Sequence, residues 1–358
     1  MSDKLIQLRD KIDALDEQIQ TLITERAKVA EEVAVAKQNA GNNVFYRAER
    51  EAQVLRKVMQ RNEGPLSNEE MARLFREIMS ACLALERVMK IAFLGPEGTF
   101  TQAAALKHFG HSVQTFPMPT IGDVFREVES GTSSYGVVPV ENSTEGVINH
   151  TLDEFMNSSL NICGEVELRI HHNLLGNVEN INDVKKVYSH RQSLAQCRKW
   201  LDTNLINVEQ IDVSSNAEAA RLASKEDGAA AIAGETAAEI YGLNTIAASI
   251  EDEPDNTTRF LIIGERNVPA SGVDKTSMLV STNNKSGSLY AMLGPLAENG
   301  ISMTRIESRP SRQGMWNYVF FIDIEGHVDD TNVAKAISEL EAAASVVKVL
   351  GSYPKAVL

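Results

Sequence analysis

The chain has 358 residues, 43% of them hydrophobic, enough for two or three cores of ordinary domain size and too much for one. Its formal net charge of -14 argues against a nucleic-acid partner, and the excess is uneven: the first 90 residues hold 15 Lys+Arg and 15 Asp+Glu, leaving 20 and 34 for the other 268. Met1 to Arg26 alternates charged and apolar residues, and no stretch approaches the roughly 20 apolar residues of a membrane span, so a cytoplasmic protein with no membrane partner is expected.

Asp3 to about Gln38 contains no Gly or Pro, and Leu8, Ile12, Leu15, Ile19, Leu22, Arg26, Val29, Val33 and Ala36 follow a 4-3 spacing. That pattern predicts one long helix with an apolar seam, ended by Gly41-Asn42-Asn43. A second helix is expected from about Arg47 to Arg61, before Asn62-Glu63-Gly64-Pro65. A third starts at Ser67, which with Glu70 makes a capping box, and shows Met71, Leu74, Phe75, Ile78, Cys82 and Leu85 on one face. Three helices of such unequal length form no compact core alone, so a homodimer or higher homo-oligomer is expected.

From Lys90 the period changes to short apolar strands alternating with helices. Strands are expected at 91–94, 135–140, 187–189, 229–233 and 260–264, and helices at 101–109, 144–157 and from 189 through Leu201. This predicts an α/β region with a largely parallel sheet or sheets, divided into two lobes, 90–167 plus 249–265 and 168–248. After the polar linker Asn267 to Asp274, the order strand, helix, strand, strand, helix, strand over 276–358 predicts an α+β ferredoxin-like unit. Cys82, Cys163 and Cys197 are too few and too far apart for a disulfide framework or a metal site, and read as reduced thiols.

Arg26 stands in the seam where the pattern calls for an apolar residue, and an unpaired buried guanidinium is unfavourable. Lys37, eleven residues on, points the same way, and Glu86 continues the apolar face of the third helix. Arg50 and Glu51 could face the same cavity, whereas Arg9 lies about 100° away around the helix and could complete a partner's site. The alternative is that Arg26 and Lys37 bridge acids on neighbouring helices while Glu86 is a solvated helix end.

The segments Leu8-Arg9-Asp10-Lys11-Ile12-Asp13-Ala14-Leu15-Asp16, Glu25-Arg26, Val35-Ala36-Lys37 and Arg50-Glu51 resemble the all-helical chorismate mutases, which implies a mutase domain over residues 1–88. By that resemblance Arg9, from the partner chain, and Arg26 bind the carboxylates of chorismate, Arg50 lines the site, and Lys37, Glu51 and Glu86 reach the ether oxygen and ring hydroxyl. The residue types suit the reaction: a [3,3] rearrangement needs no nucleophile and no cofactor, only a clamp on a dianion and donors at the ether oxygen. Cys82 departs from the serine often found at its position.

Gly95-Pro96-Glu97-Gly98-Thr99-Phe100, Val138 to Thr144, Tyr188-Ser189-His190-Arg191-Gln192 with Gln196, and Asn256-Thr257-Thr258-Arg259-Phe260 place polar groups at strand ends or loops, where open α/β sheets hold ligands. Together they resemble the prephenate dehydratases over residues 90–265, a two-lobed fold like the periplasmic binding proteins. The resemblance makes Thr258 the donor at the departing hydroxyl, Thr99, Asn142, Ser189 and Gln196 substrate ligands, and Arg259 a carboxylate ligand. Read singly, Thr258 and Ser189 could be caps and Arg259 a surface ion-pair partner. No histidine is assigned a catalytic or metal-binding role.

Gly287-Ser288-Leu289-Tyr290 and Glu307-Ser308-Arg309-Pro310 resemble the phenylalanine-binding motifs of ACT regulatory domains, implying an effector site at Gly287, Leu289, Glu307, Ser308 and Arg309. The expected function is a bifunctional enzyme that converts chorismate to prephenate and prephenate to phenylpyruvate, inhibited by L-phenylalanine. The rivals are a small-molecule sensor without turnover and an enzyme acting on arogenate.

Overall fold

The computed structural model describes residues 3–41, 44–282, 286–310 and 318–358. The expected break at Asn42 and Asn43 lies outside the described residues. The arm comprises α1 (Asp3–Asn39), α2 (Ala48–Arg61) and α3 (Asn68–Glu86). At 1.5 Å per residue the 37-residue α1 is about 55 Å long, roughly twice the length of the 19-residue α3. Burial along α1 is confined to its second half, with Arg26, Ala27, Ala30 and Lys37 half-buried and Ala34 buried. The seam residues Leu8, Ile12, Leu15, Ile19 and Leu22 are exposed in the single chain.

Ser67 caps α3 by accepting from the Glu70 amide at 3.1 Å, but the Glu70 carboxylate turns to Arg73 instead of completing the box. The face of α3 buried in the chain is Ala72, Arg76, Met79, Ser80 and Cys82, and the expected face members Leu74 and Leu85 are exposed. Packing decides which face of a helix is covered: α2 and the α/β region take the side whose Ala72 and Ser80 permit close approach. The larger apolar side stays open beside α1.

The α/β region begins with β1 (Lys90–Leu94), α4 (Phe100–Phe109), β2 (Gln114–Met118), α5 (Ile121–Glu129), β3 (Tyr135–Asn142), β4 (Gly146–Val147), α6 (Asn149–Asn157) and β5 (Asn161–Arg169). It crosses to β6 (Asn173–Gly176), β7 (Lys186–Ser189), α7 (Arg191–Gln196), α8 (Arg198–Asn204), β8 (Glu209–Asp212), α9 (Asn216–Ala223), β9 (Ala229–Ala233), α10 (Glu235–Tyr241) and β10 (Asn244–Ala247), then returns as β11 (Thr257–Gly264). One sheet runs β2-β1-β3-β11-β5, with β4 on β3, and the other β10-β6-β9-β7-β8.

Both sheets are mixed, which corrects the largely parallel expectation. β1 pairs parallel with β2 and β3 through helical crossovers, but β11 is antiparallel to both β3 and β5. The cause is topological: α6 joins β3 to β5 in the same direction, but β11 returns from the second lobe with no crossover helix before it, and so inserts antiparallel between them. The helix expected at 144–157 begins only at Asn149, because Gly146-Val147 pairs with β3 first. The helix expected through Leu201 is broken at Cys197, where φ is -111° and ψ is 14°.

The last unit is β12 (Asp274–Thr282), α11 (Ser288–Glu298), β13 (Met303–Pro310), β14 (Tyr318–Glu325), α12 (Thr331–Ala343) and β15 (Val346–Pro354), in the antiparallel order β13-β14-β12-β15. Period-2 alternation lets its strands serve two cores. Met278, Val280, Ile322 and Ile324 face α11 and α12, whereas Leu279, Phe321 and Tyr353 pack with Val140, Phe155 and Leu261 of the first lobe. Gly351 is required at that contact: a Cβ there would lie 2.2 Å from the Ile162 carbonyl oxygen. The chain closes on itself, with Val357 and Leu358 against Leu55, Ala72 and Met79 of the arm. Arg56 of α2 donates to the Val273 carbonyl at 2.8 Å and the Ser271 hydroxyl at 3.0 Å.

Candidate active sites and regulatory surface

In the arm, Lys37 Nζ stands 3.6 Å from Glu86 Oε2 and donates to the Phe45 carbonyl at 3.3 Å. The Glu86 side chain is 4% exposed, yet its Oε2 accepts no hydrogen bond among the described residues. Arg26 is half-buried three turns back on α1, and among the described residues it makes no ion pair. Arg9 and Arg50 are exposed. Lys37 and Glu86 are thus paired with one acid oxygen left without a hydrogen bond, and Arg26 makes no ion pair, among the described residues.

Glu51 departs from its expected place. Its Oε1 lies 3.3 Å from Arg76 Nε, and Arg76 Nη1 donates to the Lys107 carbonyl at 2.7 Å, so the pair sits where the arm meets the α/β region. Burial raises the Glu51 carboxyl to about 7 against the opposing pull of Arg76. Nearby, Tyr46 Oη and His108 Nε2 are 3.2 Å apart, and burial followed by the Arg76 charge lowers His108 to about 3, keeping it neutral. The physical reason is compensation: Arg76 is buried on α3 and needs a carboxylate.

Between the two lobes is a cavity of about 420 Å3, walled by Thr99 and Phe100 at the start of α4, Asn142 and Glu145 after β3, His190, Gln192 and Gln196 of the second lobe, and Thr258. Asn142 is held in one orientation. Its Oδ1 accepts from the amides of Thr144 and Glu145, both at 3.0 Å, so its Nδ2 must face Thr258 Oγ1 at 2.7 Å and Asn256 Oδ1 at 2.8 Å. With its oxygen already accepting, Thr258 keeps its own O–H proton free for a ligand. Gln196 spans the lobes: its Nε2 donates to Thr144 Oγ1 at 3.1 Å and its Oε1 lies 2.8 Å from His172 Nε2. Thr99 lines the cavity while donating to the Leu94 carbonyl at 3.1 Å. Gly98, at φ +85°, lets the loop before it approach Ala237 and Tyr241 of the second lobe.

Two expected ligands do not reach this cavity. Ser189 is fully buried behind it, donating to Asn216 Oδ1 and the Ile232 carbonyl, both at 3.1 Å, because the strand ends before the loop that lines the cleft. Arg259 faces the opposite side of the sheet from Thr258, as the next residue of a strand must. Its guanidinium meets Glu165 at 2.9 Å, Asp323 at 2.6 Å and the Tyr353 hydroxyl at 3.0 Å, in the contact with the last unit. Conversely, His172 lies in the cavity wall though it drew no assignment; burial, the largest cause, lowers its pKa and holds it neutral. Its place beside the lobe crossing, after the β5 strand, was the available signal.

In the last unit Gly287 precedes α11 at φ +83°, and Leu289 is 43% exposed. Along β13, Arg305, Glu307 and Arg309 are half-buried against the first lobe while Ile306 and Ser308 are exposed. Arg305 pairs with Glu141 at 3.1 Å and Arg309 with Asp153 at 2.7 Å. Arg309 is therefore engaged within its own chain.

Three family profiles cover the chain in succession: chorismate mutase type II over residues 8–87, prephenate dehydratase over 91–268 and the ACT domain over 276–342. A bifunctional chorismate mutase/prephenate dehydratase of Stutzerimonas stutzeri is 58% identical over 362 residues, covering 100% of this chain and 99% of that one. The chain belongs to the bifunctional chorismate mutase/prephenate dehydratases. It combines both activities with an ACT regulatory domain. Among solved structures, the prephenate dehydratase of Arthrobacter aurescens in complex with L-Phe has 33% identity and a TM-score of 0.68, over 74% of this chain and 89% of that one. GqqA, described as a novel type of quorum quenching acylase, has 29% identity and a TM-score of 0.69, over 75% and 98%.

Proposed function

We propose that Arg26, Lys37 and Glu86 form the mutase site, completed by Arg9 of a second copy with Arg50 at its edge, in an arm spanning residues 1–88. The exposed seam of α1 and the open face of α3 are what that second copy would cover, so the working unit is a homodimer or higher homo-oligomer. Guanidinium forks fit the two carboxylates of chorismate, and Lys37, held beside Glu86, donates toward the ether oxygen, where negative charge grows as the bond breaks.

Prephenate then reacts in the cleft of residues 90–265. Loss of CO2 pushes electrons into the ring and expels its hydroxyl, which needs a hydrogen-bond donor at that oxygen. Thr258 is that donor, Asn142 fixes it, and Thr99, Gln196 and the second-lobe loop hold the remaining polar groups. The observation that carries this assignment is the 2.7 Å contact from Asn142 to Thr258, which occupies the hydroxyl oxygen as acceptor and leaves its proton free to donate into the cleft. L-Phenylalanine binds the ACT unit of residues 276–358 near Gly287, Leu289, Glu307 and Ser308, and the enzyme works in the cytoplasm.

Purified protein given chorismate should produce phenylpyruvate without added cofactor. Arg26→Ala should lower mutase turnover by about 100-fold and spare the dehydratase, and Thr258→Ala should do the reverse, since loss of a clamp that holds the substrate in its reactive geometry, or of a donor at the departing oxygen, costs about that factor. Loss of both activities in either folded variant would contradict separate sites.

A further inference from the structure

The side chain next to Thr258 has no access to substrate, yet it is among the most heavily engaged in the chain. Arg259 projects from the far face of β11 and is met by Glu165 of β5, Asp323 of β14 and Tyr353 of β15. The partners are themselves satisfied: Ser277 Oγ donates to Asp323 Oδ1 at 2.5 Å and lies 2.7 Å from the Tyr353 hydroxyl, and Lys275 pairs with Glu165 at 2.8 Å. Glu165, Asp323, Ser277 and Tyr353 are all buried. Buried ion pairs of this kind contribute little net stability, because desolvation offsets their attraction, and their best-attested use is to specify geometry.

Geometry needs specifying here. The β3–β11 ladder pairs Thr258 with Asn142 and Arg259 with Glu141, then slips, so that Phe260 faces Pro139. A bulge leaves local register less well set by backbone hydrogen bonds and re-aims nearby side chains. The slip lies immediately beside the Thr258–Asn142 contact. Both strands at that point are gripped from the same side: β11 by Asp323 and Tyr353 through Arg259, and β3 by Arg305 through Glu141 at 3.1 Å. All three gripping residues belong to the regulatory unit.

We propose that Arg259 is a positioning residue for the dehydratase reaction, and that through Asp323 and Tyr353 the regulatory sheet of the same chain sets the geometry of the Thr258–Asn142 pair. This rests on Thr258 being the donor in the cleft. It also supplies a route for regulation within one chain: a ligand that shifts β13 or β14 alters the grip on β3 and β11 without entering the cleft, biasing one arrangement over another.

The test uses the full-length enzyme, with mutase turnover and thermal melting as in-chain reports of folding. Tyr353→Phe removes one hydroxyl and Asp323→Asn one charge, both remote from substrate. Each should lower dehydratase kcat, by about tenfold for Asp323→Asn, since small misplacements of a reacting group are felt at that scale. KM should stay within about twofold and mutase turnover unchanged, as for a group that does not bind substrate. Arg259→Ala should behave likewise and combine non-additively with Asp323→Asn, and Arg259→Lys should restore part of kcat. Wild-type dehydratase kinetics in folded Asp323→Asn and Tyr353→Phe, or a large rise in KM at constant kcat in Arg259→Ala, would overturn the proposal in favour of substrate binding by Arg259. Full dehydratase activity in Thr258→Ala would instead remove the underlying assignment of the donor.

Discussion

In the dehydratase cleft every wall comes from one chain, and the pairs Asn142–Thr258 and Gln196–His172 are joined through Thr144 and Asn256 into one hydrogen-bond network. In the mutase arm, Lys37 and Glu86 meet at 3.6 Å, but among the described residues an acid oxygen is left without a donor and Arg26 without an acid, and a row of isoleucines and leucines faces outward. Both regions handle a small dianion, and they differ in where the organising contacts come from. A cleft between sheets can be built by crossing strands twice between lobes, whereas on the proposed reading a three-helix arm this uneven in length takes its closed interior from a second copy.

The sharpest way to break that comparison is to make the seam polar. Ile12→Asp with Ile19→Asp should dissociate the assembly and abolish mutase activity while leaving dehydratase turnover near wild type. Each isoleucine buried between copies contributes about 1.5–3 kcal/mol, so the pair weakens association by about 100-fold or more per protomer. Light scattering and the two activity assays check this; an intact oligomer with normal mutase turnover would show that α1 is not the joint.

A smaller effect concerns Glu86. Its carboxylate lies 3.6 Å from Lys37, so removing it takes away the group that orients that cation toward the ether oxygen. Glu86→Ala should lower mutase kcat by about tenfold and leave dehydratase turnover unchanged, and wild-type mutase kinetics would exclude a role for Glu86.

Smallest is the effect at the joint between arm and α/β region. Because burial holds Glu51 at about 7, above its unfolded value near 4.5, the folded state binds the proton more tightly. The stabilisation from this group is complete below about pH 4.5 and is lost as pH rises through about 7. Glu51→Gln should therefore gain stability relative to wild type between pH 5 and 7.5, by on the order of 1 kcal/mol once the altered Arg76 contact is set against it, as read from thermal melting across that range. A pH-independent difference would mean Glu51 stays ionised beside Arg76.

Much of this was legible in the chain itself. The 4-3 spacing placed α1 within a residue or two, the order of elements in the last unit matched a ferredoxin-like sheet, and Thr258, Asn142, Gln196 and Thr99 do converge on one cavity. Arg259 was assigned to that cavity by resemblance, although period-2 alternation already set it on the opposite face from Thr258. What could not be read was its company: Glu165 and Asp323 are 94 and 64 residues away in sequence, and nothing local marks them as partners. The same holds for Glu51, whose partner Arg76 lies on another helix, and for α3, where contacts with the rest of the chain chose the covered face over the more apolar one.

The contact of Val357 and Leu358 with Leu55, Ala72 and Met79 means that the amino-terminal helices and the carboxyl-terminal residues share one small core. Severing the chain after Val88 would strip that cover, together with the anchorage of Arg56 on 271–273, from an arm whose outer seam is already bare. A fragment so released would carry adhesive surface on two sides, so the catalytic parts of this enzyme are not freely interchangeable pieces, despite their separate sheets and helices.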